Sequence, residues 1–304
     1  SGDSFAVYPA PNLSAAERDE IVELTRKIAS SLPVRGLLNI QFIVTNEDAA
    51  FVRPGPALPA PAVPHSKVWC LEVNPRASRT VPFVSKATGV ALAKIAARCM
   101  IGRTLASQNA TREVVPDYFS VKEAIFPFLK FQNVDPILGP EMRSTGEVMG
   151  VGRNFGAAFA RAHEAASIKA PSSGKAFLSV RDADKERLIE VATDLVARGF
   201  SLVATGGTHQ FLAGHGIACE RINKVLEGRP HIVDLIKNGE IAFIVNTTEG
   251  KQAIADSFSI RREALQQRVT YSTTVSGAKA LLHSLDFRSS EDVHSLQELH
   301  RELA

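Results

Sequence analysis

Apolar positions along the first half of the chain follow two different periods. Ser14-Ala15-Ala16-Glu17 has the form of a capping box, and Ile21, Leu24, Ile28 and Leu32 follow at helical spacing, which predicts a helix to about Ser31, before Pro33. From Leu37 to Val44 the period shortens to two, with Asn39, Gln41 and Ile43 on one face and Ile40, Phe42 and Val44 on the other. Val68 to Val73 is a second apolar strand. Between them Arg53 to Pro64 is a Pro/Ala run that suits neither helix nor sheet and predicts a mobile, polyproline-like excursion. The flanking strands are expected to pair as an antiparallel hairpin with a long tip. Residues 84–101 then contain an Ala-rich helix ended by Gly102, Val115 to Phe131 reads as a mixed segment carrying Lys122 and Glu123, and Asn154 to Ala166 as an Ala/Phe-rich helix.

Lys169-Ala170-Pro171-Ser172-Ser173-Gly174 is the best linker in the chain, and beyond it strand and helix patterns alternate. Strands are predicted at Ala176–Val180, Ser201–Thr205, Ile241–Val245 and within Val269–Thr274. Helices are predicted after Asp184 (closed by Gly199), after Gly206-Gly207-Thr208, near Ile232–Lys237, at about Ile260–Gln267 and from Gly277 to about Ser284. Alternation with short connections predicts a parallel, doubly wound sheet, whose ligands bind outside the carboxyl ends of the strands.

Composition narrows this picture by exclusion. A net charge of +3 from 35 basic and 32 acidic residues is too balanced to argue for nucleic acid or a membrane surface. Cys70, Cys99 and Cys219 are widely spaced, with neither metal-ligand spacing nor a disulfide framework, so a reducing cytoplasmic setting is expected. No apolar run reaches the ~18 residues of a membrane span. The opening residues are not a signal peptide, and the absence of an initiator Met reads as a segment of something longer.

Two stretches carry candidate chemistry. Glu72-Val73-Asn74-Pro75-Arg76 ends an apolar strand, and period-two alternation puts Glu72, Asn74 and Arg76 on one side, with Pro75 ending the ladder. A carboxylate and amide carbonyls suit a hard cation, and an arginine beside them suits phosphate. The competing reading is a solvated strand end with a surface ion pair. Gln41 is either a core amide or a third oxygen ligand brought in by hairpin pairing. In the second half, Thr205-Gly206-Gly207-Thr208 places hydroxyls and accessible N–H groups at a helix start, a phosphate cradle in form, although a plain tight turn has the same sequence. Asn246-Thr247-Thr248 repeats this chemistry at another strand end, and Lys185 and Lys224 offer positive charge.

Leu71 to Gly89, Pro140 to Gly150 and Asn223-Lys224-Val225 with Glu227-Gly228-Arg229-Pro230-His231-Ile232 resemble the large subunit of carbamoyl phosphate synthetase, and the likeness extends over essentially the whole chain. It implies a partial ATP-grasp α+β unit followed by a methylglyoxal-synthase-like doubly wound domain. The implied division is residues 1–112 for the end of the second ATP-grasp unit, 113–170 for a segment completing it, and 171–304 for the allosteric domain. The activity it implies is ATP-dependent phosphorylation of carbamate, for pyrimidine and arginine synthesis, under nucleotide and ornithine control. By the same resemblance Gln41, Glu72 and Asn74 match ligands of Mg2+ or Mn2+ and Arg76 a residue at the phosphate end. Ser179, Lys185, Thr205, Thr208, Lys224, Asn246 and Thr248 match a site for UMP or IMP. Asp3, Glu123, Tyr271 and Thr273 match an ornithine site, and K+ is a further implied ion. The implied partners are the rest of the large subunit and a glutaminase small subunit. ATP is then a substrate whose site this chain leaves incomplete, since the lid, adenine pocket and first synthetase half of the family have no counterpart in it. The chain alone is thus expected to be inactive. The alternative is a regulatory nucleotide-binding module without catalysis. A methylglyoxal synthase is disfavoured because Asn-Thr-Thr-Glu-Gly replaces the glycine-rich, aspartate-bearing loop of those enzymes, and another ATP-grasp ligase would lack the second domain.

Overall fold

The computed structural model describes residues 3–45, 67–130, 134–139, 141–287 and 293–303, so the Pro/Ala run at 53–64 lies outside the described residues. In chain order the elements are β1 (Ala6–Tyr8), α1 (Ala15–Ser31), β2 (Asn39–Thr45), β3 (Lys67–Asn74), α2 (Thr80–Thr88), α3 (Leu92–Met100), β4 (Phe119–Ile125), β5 (Gly146–Gly152), α4 (Phe155–Ala165), β6 (Gly174–Ser179), α5 (Lys185–Ala197), β7 (Phe200–Thr205), α6 (Gly206–Gly214), β8 (Glu220–Ile222), α7 (Ile232–Lys237), β9 (Ile241–Asn246), α8 (Gly250–Asp256), α9 (Phe258–Gln266), β10 (Thr270–Ser272), α10 (Val275–Ser284) and α11 (Leu296–Arg301). They pack as two compact units, one of Tyr8–Pro116 with His294–Ala304, the other of Ser1–Val7 with Asp117–Val293.

In the smaller unit the capping box forms as expected: Glu17 N–H donates to Ser14 Oγ, and Ser14 N–H donates to the Glu17 carboxylate at 2.7 Å. β2 and β3 pair antiparallel, with a bulge between Gln41 and Phe42. The 84–101 stretch holds the expected Ala-rich helix, α3, and before it the end of a separate helix, α2. Gly89, at φ +73°, ends α2 in the left-handed conformation that closes helices, and α3 starts afresh at Leu92. The ring of His300, on α11, lies 3.0 Å from where a Gly89 Cβ would be, and its Nε2 is 2.7 Å from the Lys86 carbonyl.

In the larger unit five strands form a wholly parallel sheet in the order β10-β9-β6-β7-β8. Its inner strands are buried on both faces, which is why they read as continuous apolar runs. Alternate residues feed separate cores. Ala176, Leu178, Leu202, Ala204, Phe243 and Val245 pack with Leu188, Val191 and Leu195 of α5, Leu212 of α6 and Leu281 of α10. Phe177, Val203 and Ile244 pack with Ile232 and Ile236 of α7 and Ile260 and Ala264 of α9.

A second sheet, β1-β4-β5, belongs to the same unit. Val121 of β4 and Ala158, Phe159 and Ala162 of α4 join the first of the two cores. The Lys169–Gly174 stretch therefore lies within the larger packing unit, whose edge falls near residue 116. Beside the second sheet, β5 and α4 approach backbone to backbone. A Cβ on Gly150 would sit 2.2 Å from Ala158 O, and one on Gly152 2.6 Å from Ala158 N, so bare glycines let β5 lie directly on α4. Asp184 does occupy the N-cap position of α5, but its carboxylate accepts from Arg181 Nε at 2.8 Å rather than capping the helix.

Candidate functional site

On the β2–β3 hairpin, register sets Gln41 directly opposite Glu72, and Asn39 opposite Asn74. Directly opposed residues of an antiparallel pair have adjacent side chains, with diagonal partners only a little farther off. Asn74 Nδ2 donates to Glu72 Oε1 at 2.9 Å, which leaves the Asn74 carbonyl and the other Glu72 oxygen as open acceptors. Glu72 is exposed and Gln41 half-buried. This all-oxygen set fits a hard divalent cation. Arg76 is exposed, and its Nη1 makes only a long 3.5 Å bond to Ala77 O, so the guanidinium retains most of its donors.

In the larger unit the parallel register brings Ser179 of β6 beside Asn246 of β9, with Thr205 at the end of the adjoining β7. Ser179 Oγ and Thr205 Oγ1 are 3.0 Å apart, and Val180 N–H donates to Thr208 Oγ1 at 3.2 Å. Thr205 is the N-cap residue of α6, yet its side chain makes no capping bond. The first N–H groups of α6 therefore keep their capacity for an anion. Lys185 stands at this end too, its Nζ 3.6 Å from where a Gly207 Cβ would lie and 2.7 Å from Asp182 Oδ1. Lys224 is exposed, two residues beyond the end of β8. In the loop after β9, the half-buried Thr248 is outdone structurally by its buried neighbour. Thr247 N–H donates to Ser179 O, and Arg181 N–H donates to Thr247 Oγ1.

Asp3, Glu123, Tyr271 and Thr273 are not joined to one another by any hydrogen bond among the described residues. Both Asp3 oxygens accept backbone N–H bonds, from Arg143 at 2.7 Å and Ser144 at 3.0 Å, and these outweigh burial to hold its carboxyl below the usual range. Glu123 is buried with an oxygen 2.6 Å from His163 Nδ1. Thr273 is exposed just past β10. Tyr271 instead joins the neighbouring set: its hydroxyl accepts from Asn246 Nδ2 at 2.8 Å, and burial pushes its pKa up to about 12.

Near Tyr271 lies a partly buried pair that sequence reading missed. Arg261, 5% exposed, donates through Nε and Nη2 to both oxygens of Asp135, and Arg143 Nη1 donates to the carbonyls of Asp135 and Ile137. Asp135 and Arg261 are 126 residues apart in sequence, and no local pattern marks them as partners.

Among the described residues no helix is long and apolar enough to cross a membrane, and no group of three His, Cys, Asp or Glu is placed to hold a metal.

Comparison with known proteins finds a family likeness in each half of the chain. Residues 187–273 match the family model of the MGS-like domain, and residues 62–108 match the carbamoyl-phosphate synthase L chain ATP binding domain. The carbamoyl phosphate synthase large chain of Xanthomonas campestris is 66% identical over 100% of this chain and 27% of its own length. That of Xylella fastidiosa is 63% identical over the same shares, and that of Pseudomonas aeruginosa 51% identical over 99% of this chain and 26% of its own. The chain thus spans little more than a quarter of the length of these curated relatives. Among solved structures, a methylglyoxal synthase from Elizabethkingia anophelis superposes with a TM-score of 0.33 at 17% identity, covering 39% of this chain and 82% of that one. By its sequence the chain is similar from end to end to a carbamoyl phosphate synthase large chain, matching the MGS-like domain model in its second half and the carbamoyl-phosphate synthase L chain ATP binding domain model in its first.

Proposed function

We propose that this chain acts as a portion of a carbamoyl phosphate synthase large chain and has two tasks within it. In the smaller unit, Gln41, Glu72 and Asn74 offer oxygen ligands to Mg2+ or Mn2+, and Arg76 takes the phosphate being transferred from ATP to carbamate. When bound, the ion would neutralise charge on that phosphoryl group. Binding of ATP itself draws on the rest of the large subunit, and ammonia is supplied by a glutaminase small subunit, in the cytoplasm. Residues 1–112 and 113–170 are assigned to this catalytic region and 171–304 to the allosteric region.

The allosteric task is nucleotide sensing at Ser179, Lys185, Thr205, Thr208, Lys224, Asn246 and Thr248, with UMP or IMP as the effector. Asp3, Glu123, Tyr271 and Thr273 are assigned to ornithine, with K+ as a further ion. One observation carries the nucleotide reading: hydroxyls and an amide from three adjacent strand ends converge on an uncapped helix start with Lys185 beside it. Titration calorimetry of the 304-residue chain with UMP and with IMP tests it. One of the two is expected to bind, and Lys185→Ala and Thr208→Val are each expected to weaken it on the order of tenfold, the scale of one charge-assisted hydrogen bond. Failure of both nucleotides to bind the unmutated chain sinks the sensor reading.

A further inference from the structure

Arg221 is used by neither task. On β8 its neighbour Ile222 points into a core, so strand alternation turns Arg221 the other way. Register sets it beside Ala204 of β7, one residue before the strand end. From there its guanidinium reaches over the start of α6: a Cβ on Gly206 would lie 3.8 Å from both Nε and Nη2. A Cβ on Gly207 would lie 3.6 Å from Lys185 Nζ. Each of the two glycines that open α6 therefore has a cation at its bare face.

The charge balance at this spot is unusual. Arg181 is paired with Asp184 and Glu249, and Lys185 with Asp182. Glu220, next to Arg221 in sequence, faces Lys175. Arg221 is exposed and, among the described residues, has no hydrogen bond or ion pair. An unpaired guanidinium against the positive end of a helix is unfavourable by itself and becomes favourable once an anion lies between them.

We infer that Arg221 is a phosphate-binding residue of the α6 cradle, clamping two oxygens of a nucleotide's terminal phosphate opposite Lys185. The inference rests on the nucleotide reading above and adds a specificity to it. A planar, forked guanidinium matches two phosphate oxygens at once, whereas an ammonium offers a single point of charge. Arg221 thus selects for a phosphorylated ligand and is indifferent to the base.

The test is calorimetry on the full chain with uridine and inosine 5′-monophosphates, the two unphosphorylated nucleosides, and inorganic phosphate, for the unmutated protein, Arg221→Ala, Arg221→Lys, Lys185→Ala and Thr208→Val. Arg221→Ala is expected to weaken the bound monophosphate on the order of tenfold or more, to flatten the salt dependence of binding, and to leave nucleoside binding unchanged. Arg221→Lys restores charge without the fork, so its affinity is expected to fall between those of Arg221→Ala and the unmutated chain. Arg221 is exposed, so an unaltered melting temperature is expected to accompany these losses. Monophosphate affinity and salt dependence unchanged in Arg221→Ala, while Lys185→Ala and Thr208→Val lose binding, overturns the role of Arg221 and leaves the cradle standing. No monophosphate binding to the unmutated chain overturns the nucleotide reading, and the role of Arg221 with it.

Discussion

The Asp135–Arg261 pair shows how much a single partly buried contact decides. Burial alone would raise the Asp135 carboxyl, but hydrogen bonds from Arg261 and the Ile137 N–H outweigh it and hold the carboxyl below its ordinary value. A depressed folded pKa contributes stability that is fully present above the unfolded value of 3.8 and is lost as pH falls below it, through the folded value. Asp135→Asn should therefore flatten the fall in stability below about pH 4, read as urea midpoints across an acid series. At neutral pH Asp135→Ala strands a guanidinium that is only 5% exposed. The cost expected in urea unfolding is about 2 kcal/mol, below the roughly 3–5 of a fully enclosed pair because the Asp135 side chain keeps 27% of its exposure. No change in midpoint would show that water already solvates Arg261.

At the scale of elements, period-two and period-3.6 patterns account for most of what forms. The 232–237 helix and the 241–246 strand appear where their apolar runs stand, and the capping boxes at Ser14 and Ser295 mark true helix starts. Where the pattern is silent, backbone geometry decides. Gly89, turning left-handed, separates α2 from α3, and Gly150 and Gly152 in β5 leave the bare backbone that α4 packs against. Gly150→Val forces a side chain into Ala158 O and Ala162 N, so β5 should separate from α4, seen as loss of soluble folded protein or a large fall in melting temperature. On the parallel sheet, Leu188→Ala in α5 leaves a cavity under a fully buried position and should cost about 2–5 kcal/mol in urea unfolding.

Across the larger unit, one apolar cluster joins β4 and α4 to the parallel sheet. An element that shares a core with another is expected to lose protection with it. Ala162→Asp, which buries an unpaired carboxylate in that cluster, should speed amide hydrogen exchange in β4, β5 and β6 alike. Faster exchange confined to β4 and β5 would show that the two sheets are independent cores. A shared core also explains why the glycine- and proline-containing stretch at 169–174 lies within one packing unit: a linker's composition reports local freedom, not which surfaces its ends must cover.

By itself the sequence determined what depends on near neighbours: the alternation that makes a parallel doubly wound sheet, the caps that start helices, and the residue types at the strand ends, including Gln41, Glu72 and Asn74 on one hairpin. Tertiary structure alone decided what depends on register and on faces far apart in the chain. It brought Arg221 over Gly206, tied Asn246 to Tyr271, closed Asp135 on Arg261 and drew Asp3 to the backbone of Arg143. Periodicity says which face of an element is buried, but only packing and strand order choose the partner it meets.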